Sequence, residues 1–192
     1  KFKQELKENF PYKVIDVEGA EADDIIGTLA PRAVMHEDVV IISSDGDFLQ
    51  LQMYNGRSQY KIKQYNPAQK KFVVSEDPIK ELKMKIINGD SGDGIPNIIS
   101  PSDCFVREIR QTPIHKAKLD KFLAEDAGQY SSEAKVGFWR NQTLIDLSFI
   151  PEDIKKSIID TYSITKPAPR MKLMNYFMEK KLKNLMEVIE EF

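Results

Sequence analysis

Two short β-branched runs, residues 13–17 (KVIDV) and 39–43 (VVIIS), flank a stretch that places Ile25, Ile26, Leu29 and Val34 at helical spacing. That order predicts a strand–helix–strand unit and therefore a parallel layer. Pro31 removes a backbone donor and is expected to kink or end the helix. Residues 59–65 and 71–74 predict two more strands, joined as a hairpin across Asn66, Pro67, Ala68 and Gln69. Beyond Pro78 the pattern turns helical. Ile79, Leu82, Ile86 and Ile87 define one helix over residues 78–88, a glycine-bearing loop (GDSGDGIPN) follows, and another helix is expected near residues 103–109. From Pro113 onward, four or five amphipathic stretches are separated by Gly128, Pro151 and KPAPR. The predicted fold class is α/β: a parallel-centred sheet with flanking helices over residues 1–77, then a helical lobe over residues 78–192.

Composition limits the function classes. A chain of 192 residues with 41% hydrophobic and 30% charged residues buries a real core. It carries no apolar run of the roughly 20 residues that span a bilayer and no signal-peptide apolar segment, so a soluble cytoplasmic protein is expected. The single cysteine, Cys104, excludes an internal disulfide and a thiolate zinc site, and reads as a small apolar filler beside Phe105. A net charge of -2 gives no global attraction to nucleic acid, so any such binding must come from local patches.

Three acidic clusters stand where such a fold gathers ligands. Glu21, Asp23 and Asp24 follow the first β-branched run, and Asp45 and Asp47 follow the second. Ligands of parallel α/β sheets bind beyond the carboxyl ends of the strands, so these two clusters should converge. Asp90 and Asp93 lie in a loop that Gly89, Gly92 and Gly94 allow to bend sharply. Each cluster alone has a structural reading: acids at a helix N-terminus favour the helix dipole, and SSDGD makes a turn. An EF-hand count from Asp45 fails, since its fifth and sixth positions are Leu49 and Gln50. Together the three predict a carboxylate crevice needing cations, because crowded carboxylates raise one another's pKa. All-oxygen donors favour Mg²⁺, with Mn²⁺ as substitute, over zinc.

The runs EGAEADDIIGTLA, VVIISSDGDFLQL and IINGDSGDGIP, in this order, resemble the flap endonuclease and 5′-3′ exonuclease superfamily, most closely its branch of T4-like phage ribonucleases H. The resemblance covers nearly the whole chain, including FIPEDI, KPAPR and the terminal EEF. It implies a PIN-like 5′ nuclease core in which Glu21, Asp23, Asp45, Asp47 and Asp93 bind two Mg²⁺ ions, with Asp24 and Asp90 as supporting acids. It implies that Asp23, Asp45, Asp47 and Asp93 serve catalysis. It further implies a helix-two-turn-helix element around NGDSGDGIPN that grips duplex DNA by its backbone, through Lys80, Lys83, Lys85, Gly92, Gly94 and Asn97. The family's N-terminal section, with two more metal-binding aspartates, basic catalytic side chains and a helical arch, has no counterpart in these residues. After IPN, IISPSDCFV replaces the family's glycine-rich turn.

The expected activity is metal-dependent hydrolysis of DNA or RNA–DNA duplexes with free 5′ ends or flaps, including primer removal in phage replication inside the infected cell. Two Mg²⁺ ions about 4 Å apart activate a water and stabilise the leaving oxygen, so no side-chain nucleophile is required. His36 and His115 stand outside the acidic motifs and read as surface residues. Arg57, Lys61, Lys63, Lys70 and Lys71, interleaved with Tyr60, Tyr65 and Phe72, could follow a phosphate backbone or simply protect an edge hairpin. Lys166, Arg170, Lys172, Lys180, Lys181 and Lys183 read by default as a solvated face. Trp139 reads as a packing residue rather than a base-stacking platform. The resemblance implies a single-stranded DNA-binding protein and a sliding clamp as partners, and the helices call for no oligomer. The alternatives are a non-catalytic DNA-junction binding module of the same fold and, less favoured, a PIN-like or phosphatase-like metal hydrolase.

Overall fold

A computed structural model describes residues 1–192. In chain order its elements are α1 (Phe2–Asn9), α2 (Ala22–Ala33), β1 (Val39–Ile42), a 3-10 stretch (Gly46–Tyr54), β2 (Ile62–Asn66), β3 (Lys71–Val73), α3 (Pro78–Asn88), α4 (Lys116–Ala124), α5 (Ser132–Ile145), α6 (Glu152–Ile164), α7 (Arg170–Glu179) and α8 (Lys183–Glu187). They form two compact units, residues 22–151 and residues 1–21 with 152–192. No helix is long and apolar enough to cross a membrane.

In the larger unit, β1 pairs with β2 in parallel and β2 with β3 antiparallel, giving a mixed three-stranded sheet. The hairpin forms where the sequence predicts it. The parallel pair does not. Residues 13–17 form no regular element and pair with no strand, and the partner of β1 is β2, with Val39 opposite Ile62. A β-branched run becomes a strand only where a neighbour completes its ladder. Here the run is held by side chains instead: Lys13 Nζ donates to Tyr162 O at 2.7 Å, and Lys3 pairs with Asp16 at 2.7 Å. The β1–β2 crossover is the 3-10 stretch, whose eclipsed i, i+3 positions align Phe48 with Leu51. Both are buried, with Ala30, Val34, Ile41 and Ile62.

α2 runs two residues past Pro31, which lies in its last turn and so removes a donor without breaking the helix. Pro78 opens α3 at its first turn, where a missing N–H costs nothing, and the Asp77 carboxylate accepts from Lys80 N at 3.0 Å. α3 buries Ile86 and Ile87 with Ile95, Ile98, Phe122, Tyr130 and Phe138 in a second core. Residues 102–108 are consecutive turns, where the sequence predicts a helix near residues 103–109. Glu108, at φ 53°, adopts a left-handed conformation that cannot continue one. Cys104 is buried. Trp139 is 54% exposed, because its neighbour Phe138 takes the core-facing position on α5.

α5 closes this core through one polar side chain. Asn141, 0% exposed, donates to Ile86 O and Pro96 O, both at 2.8 Å, and accepts from Arg140 Nε at 2.8 Å. A buried carbonyl without a donor is costly, so Asn141→Leu is expected to destabilise the protein by about 2–3 kcal/mol. Urea unfolding measures this, and an unchanged midpoint would contradict the role given to Asn141. Gly137 lets α5 press on the same loop, since a Cβ there would lie 2.7 Å from Ile98 C and Cα.

In the smaller unit, Leu173, Tyr176 and Phe177 of α7 pack with Phe10, Leu182, Met186, Ile189 and Phe192. Tyr176 Oη donates to Glu5 at 2.8 Å, and this bond holds the Glu5 carboxyl below its ordinary range.

Candidate metal centre

The site is built from the end of β1 and the end of α3. After Ile42 the chain leaves the sheet through Ser43 and Ser44, and Gln64 on β2 fixes this exit. Its Nε2 donates to Ser43 O at 3.0 Å and to Asp45 O at 2.5 Å. Asp45 N donates to Ser43 Oγ at 3.1 Å, while the Asp45 carboxylate accepts from Asp47 N at 2.9 Å and caps the 3-10 stretch. Asp45 thereby sets the direction of Asp47. The same stretch is fastened at Gln50, which donates to Ile145 O at 3.1 Å and accepts from Leu147 N at 2.9 Å.

At the other end, Gly89 leaves α3 with φ 70° and ψ -172°, a conformation open essentially to glycine alone. Asp90 N then donates to Ile95 O at 2.8 Å, and Ile95 N returns a bond to Asp90 O at 2.7 Å, pinching residues 91–94 into a tight loop. The Asp90 carboxylate accepts from Gly92 N at 2.9 Å and Asp93 N at 3.4 Å, which draws Asp93 round to the same side.

One carboxylate oxygen each from Asp47, Asp90 and Asp93 lies within 4.8 Å of the others. Lys85, on α3, enters this group: its ammonium pairs with Asp47 Oδ1 and, at 3.0 Å, with Asp90 Oδ2. Asp45, Asp47, Glu81, Lys85 and Asp90 line a cleft of about 530 Å³. The hydrogen bond from Lys85 holds the Asp90 carboxyl below the usual range, against an opposing effect of burial. Burial disfavours the charged ammonium of Lys85, but its bonds to Asp47 and Asp90 outweigh that and raise its pKa overall. Three carboxylates against one ammonium leave the cluster net negative, and its donors are all oxygen. This set fits a hard divalent cation.

The remaining candidate residues are distributed as follows. Asp23 and Asp24 occupy the first turn of α2, which packs on the 3-10 stretch, but neither joins the close three-acid group. Glu21 belongs to the smaller unit. Lys80 is exposed, as are Gly92 and Gly94. Lys83 Nζ donates to Leu123 O at 2.9 Å and Glu125 O at 2.7 Å, satisfying carbonyls at the end of α4. Asn97 is buried; its amide donates to Thr112 O at 2.8 Å and its carbonyl accepts from Ile99 N and Ser100 Oγ. Sequence reasoning missed Gln64 and Gln50. The available signal was a glutamine at an inward position of an alternating strand, for Gln64, and none for Gln50.

Acids gathered beyond a strand end and a helix end define an α/β protein with a carboxylate cluster suited to a divalent cation. The family profile described as 5′-3′ exonuclease, N-terminal resolvase-like domain, matches residues 1–81, and that described as T4 RNase H, C terminal, matches residues 77–192. The chain belongs to the T4 RNase H family of 5′-3′ exonuclease-like proteins. It is 33% identical over 197 aligned positions to Ribonuclease H of Enterobacteria phage T4, covering 98% of this chain and 63% of that protein. It is 28% identical over 107 positions to a 5′-3′ exonuclease of Mycobacterium tuberculosis, covering 49% of this chain and 33% of the relative. A DNA polymerase I of Rhizobium leguminosarum is 36% identical over 101 positions, 50% of this chain and 10% of its own length. The chain thus spans a little under two thirds of the phage relative.

Proposed function

We propose that this chain carries part of the active site of a Mg²⁺-dependent, structure-specific 5′ nuclease that removes RNA primers and short DNA flaps during phage DNA replication in the host cytoplasm. The observation that carries this reading is the convergence of Asp47, Asp90 and Asp93 in one cluster, from two segments 43 residues apart. Membership of a family whose named relatives are a ribonuclease H and a 5′-3′ exonuclease supports it.

Asp47, Asp90 and Asp93 would hold one Mg²⁺, with Mn²⁺ as substitute; Asp45, Asp23 and Asp24, of the same unit, would serve a second ion or the waters around both. Bound there, divalent ions supply positive charge to an attacking water and to the departing 3′ oxygen. The protein's own share is orientation. Asp45 directs Asp47 through the cap, Asp90 directs Asp93 through the loop, and Gln50 and Gln64 hold the strand-end segment. In this reading the functional division falls near residue 77, and the loop after α3, with Lys80, Gly92 and Gly94, meets the duplex backbone as part of a helix-two-turn-helix element. The protein acts as a monomer, with a single-stranded DNA-binding protein and a sliding clamp as partners.

The test is cleavage of a 5′-labelled flapped duplex by this chain and by any longer chain containing it, with Mg²⁺ or EDTA. Cutting that requires Mg²⁺ and is lost in Asp93→Asn supports the reading. Junction binding without cutting by either chain replaces it with a non-catalytic junction-binding module.

A further inference from the structure

Lys85 has a place in the cluster that general DNA contact does not explain. Its ammonium pairs with Asp47 from the strand-end segment and Asp90 from the loop after α3. The lysine side chain is 31% exposed and the two carboxylates 19% and 27%, so the contact is partly shielded from water. Such charge-assisted bonds are stronger than neutral ones, and an ammonium on a flexible stem can leave without disturbing the backbone. Resting on the metal reading above, we propose that Lys85 is an exchangeable internal cation: it holds Asp47 and Asp90 together, and a divalent ion entering the site must displace it.

The chemistry follows from shared oxygens. The ammonium occupies oxygens of Asp47 and Asp90, two of the three acids that would hold the ion, and an ammonium and a metal ion cannot occupy one position. Metal entry therefore breaks both ion pairs and turns the Lys85 ammonium out. Between metal-bound states the lysine keeps the carboxylates from repelling one another apart, so the site stays assembled at a cost in metal affinity.

Two measurements on the full chain test this at neutral pH. Mn²⁺ binding followed by electron paramagnetic resonance should be roughly tenfold tighter in Lys85→Met than in wild type, a difference of about 1.4 kcal/mol. Lys85→Arg, which keeps the charge, should stay near wild type. In the unaltered protein, acetylation of Lys85 read by mass spectrometry should rise several-fold on adding Mn²⁺, while Lys80 stays constant. If Mn²⁺ binds and Asp93→Asn removes it, but Lys85→Met binds no tighter and Lys85 acetylation does not change, the exchange proposal is wrong and the metal reading survives. If Mn²⁺ does not bind, or binds equally in Asp93→Asn, the metal reading itself fails.

Discussion

Gly89→Ala is expected to lower stability by about 3 kcal/mol or more, from left-handed strain and overpacking together, or roughly 6–12 °C in melting temperature. A Cβ at this position would meet the carbonyl oxygen of Ile95, and would lie 2.6 Å from Pro96 C and 2.7 Å from Pro96 O. These are backbone atoms, two of them flanking the bridge that pinches the loop, and they cannot swing aside. Relief requires the chain to leave α3 at another angle, which carries Asp90 and Asp93 away from Asp47. Activity should therefore fall with stability. Gly94→Ala separates the two causes: φ there is 72°, but nothing lies within 4 Å of the added carbon, so strain alone remains, about 1 kcal/mol. Calorimetry of the two variants decides. Equal small losses would mean that the helix exit has more freedom than its contacts imply.

On the nuclease function proposed above, Asp47→Asn is expected to reduce cleavage at least about a hundredfold, since even outer-shell groups of metal sites cost ten- to a hundredfold. An amide keeps the size of the carboxylate but not its charge, so a bound ion would lose an anionic ligand and Lys85 loses one of its two ion pairs. The 3-10 stretch should survive, because its cap uses the Asp47 backbone N–H and the Asp45 carboxylate. Circular dichroism should be unchanged while rate and Mg²⁺ dependence shift. A variant cutting at the wild-type rate would remove Asp47 from the site.

The legibility of this protein follows the range of the forces involved. The hairpin across residues 66–69 and the start of α3 depend on neighbours a few positions away, and both were readable. Residues 13–17 satisfy every local rule for a strand, yet strand formation also needs an edge to join, which no local pattern reports. The 3-10 crossover escaped notice because Phe48 and Leu51, three apart, fit an α-helix as well. For the site, the acids and a shared crevice were legible, but not which three of them lie close together. Which of them meet depends on the exit angle at Gly89 and the turn at Asp45, and Lys85 joined them from a helix face that looked free for DNA.

The two halves of the cluster share a common standard. Asn141 ties α5 to the end of α3 and to Pro96, and Gln50 ties the segment bearing Asp47 to Ile145 and Leu147 at the end of the same helix. The four-residue step from Asn141 to Ile145 is about 6 Å of helix, close to one full turn. α5 thus acts as a gauge block, converting helix pitch into the spacing between carboxylates that come from distant parts of the chain. One residue inserted between these positions would rotate one attachment by about 100° relative to the other. The acids would be unchanged in sequence and their spacing lost.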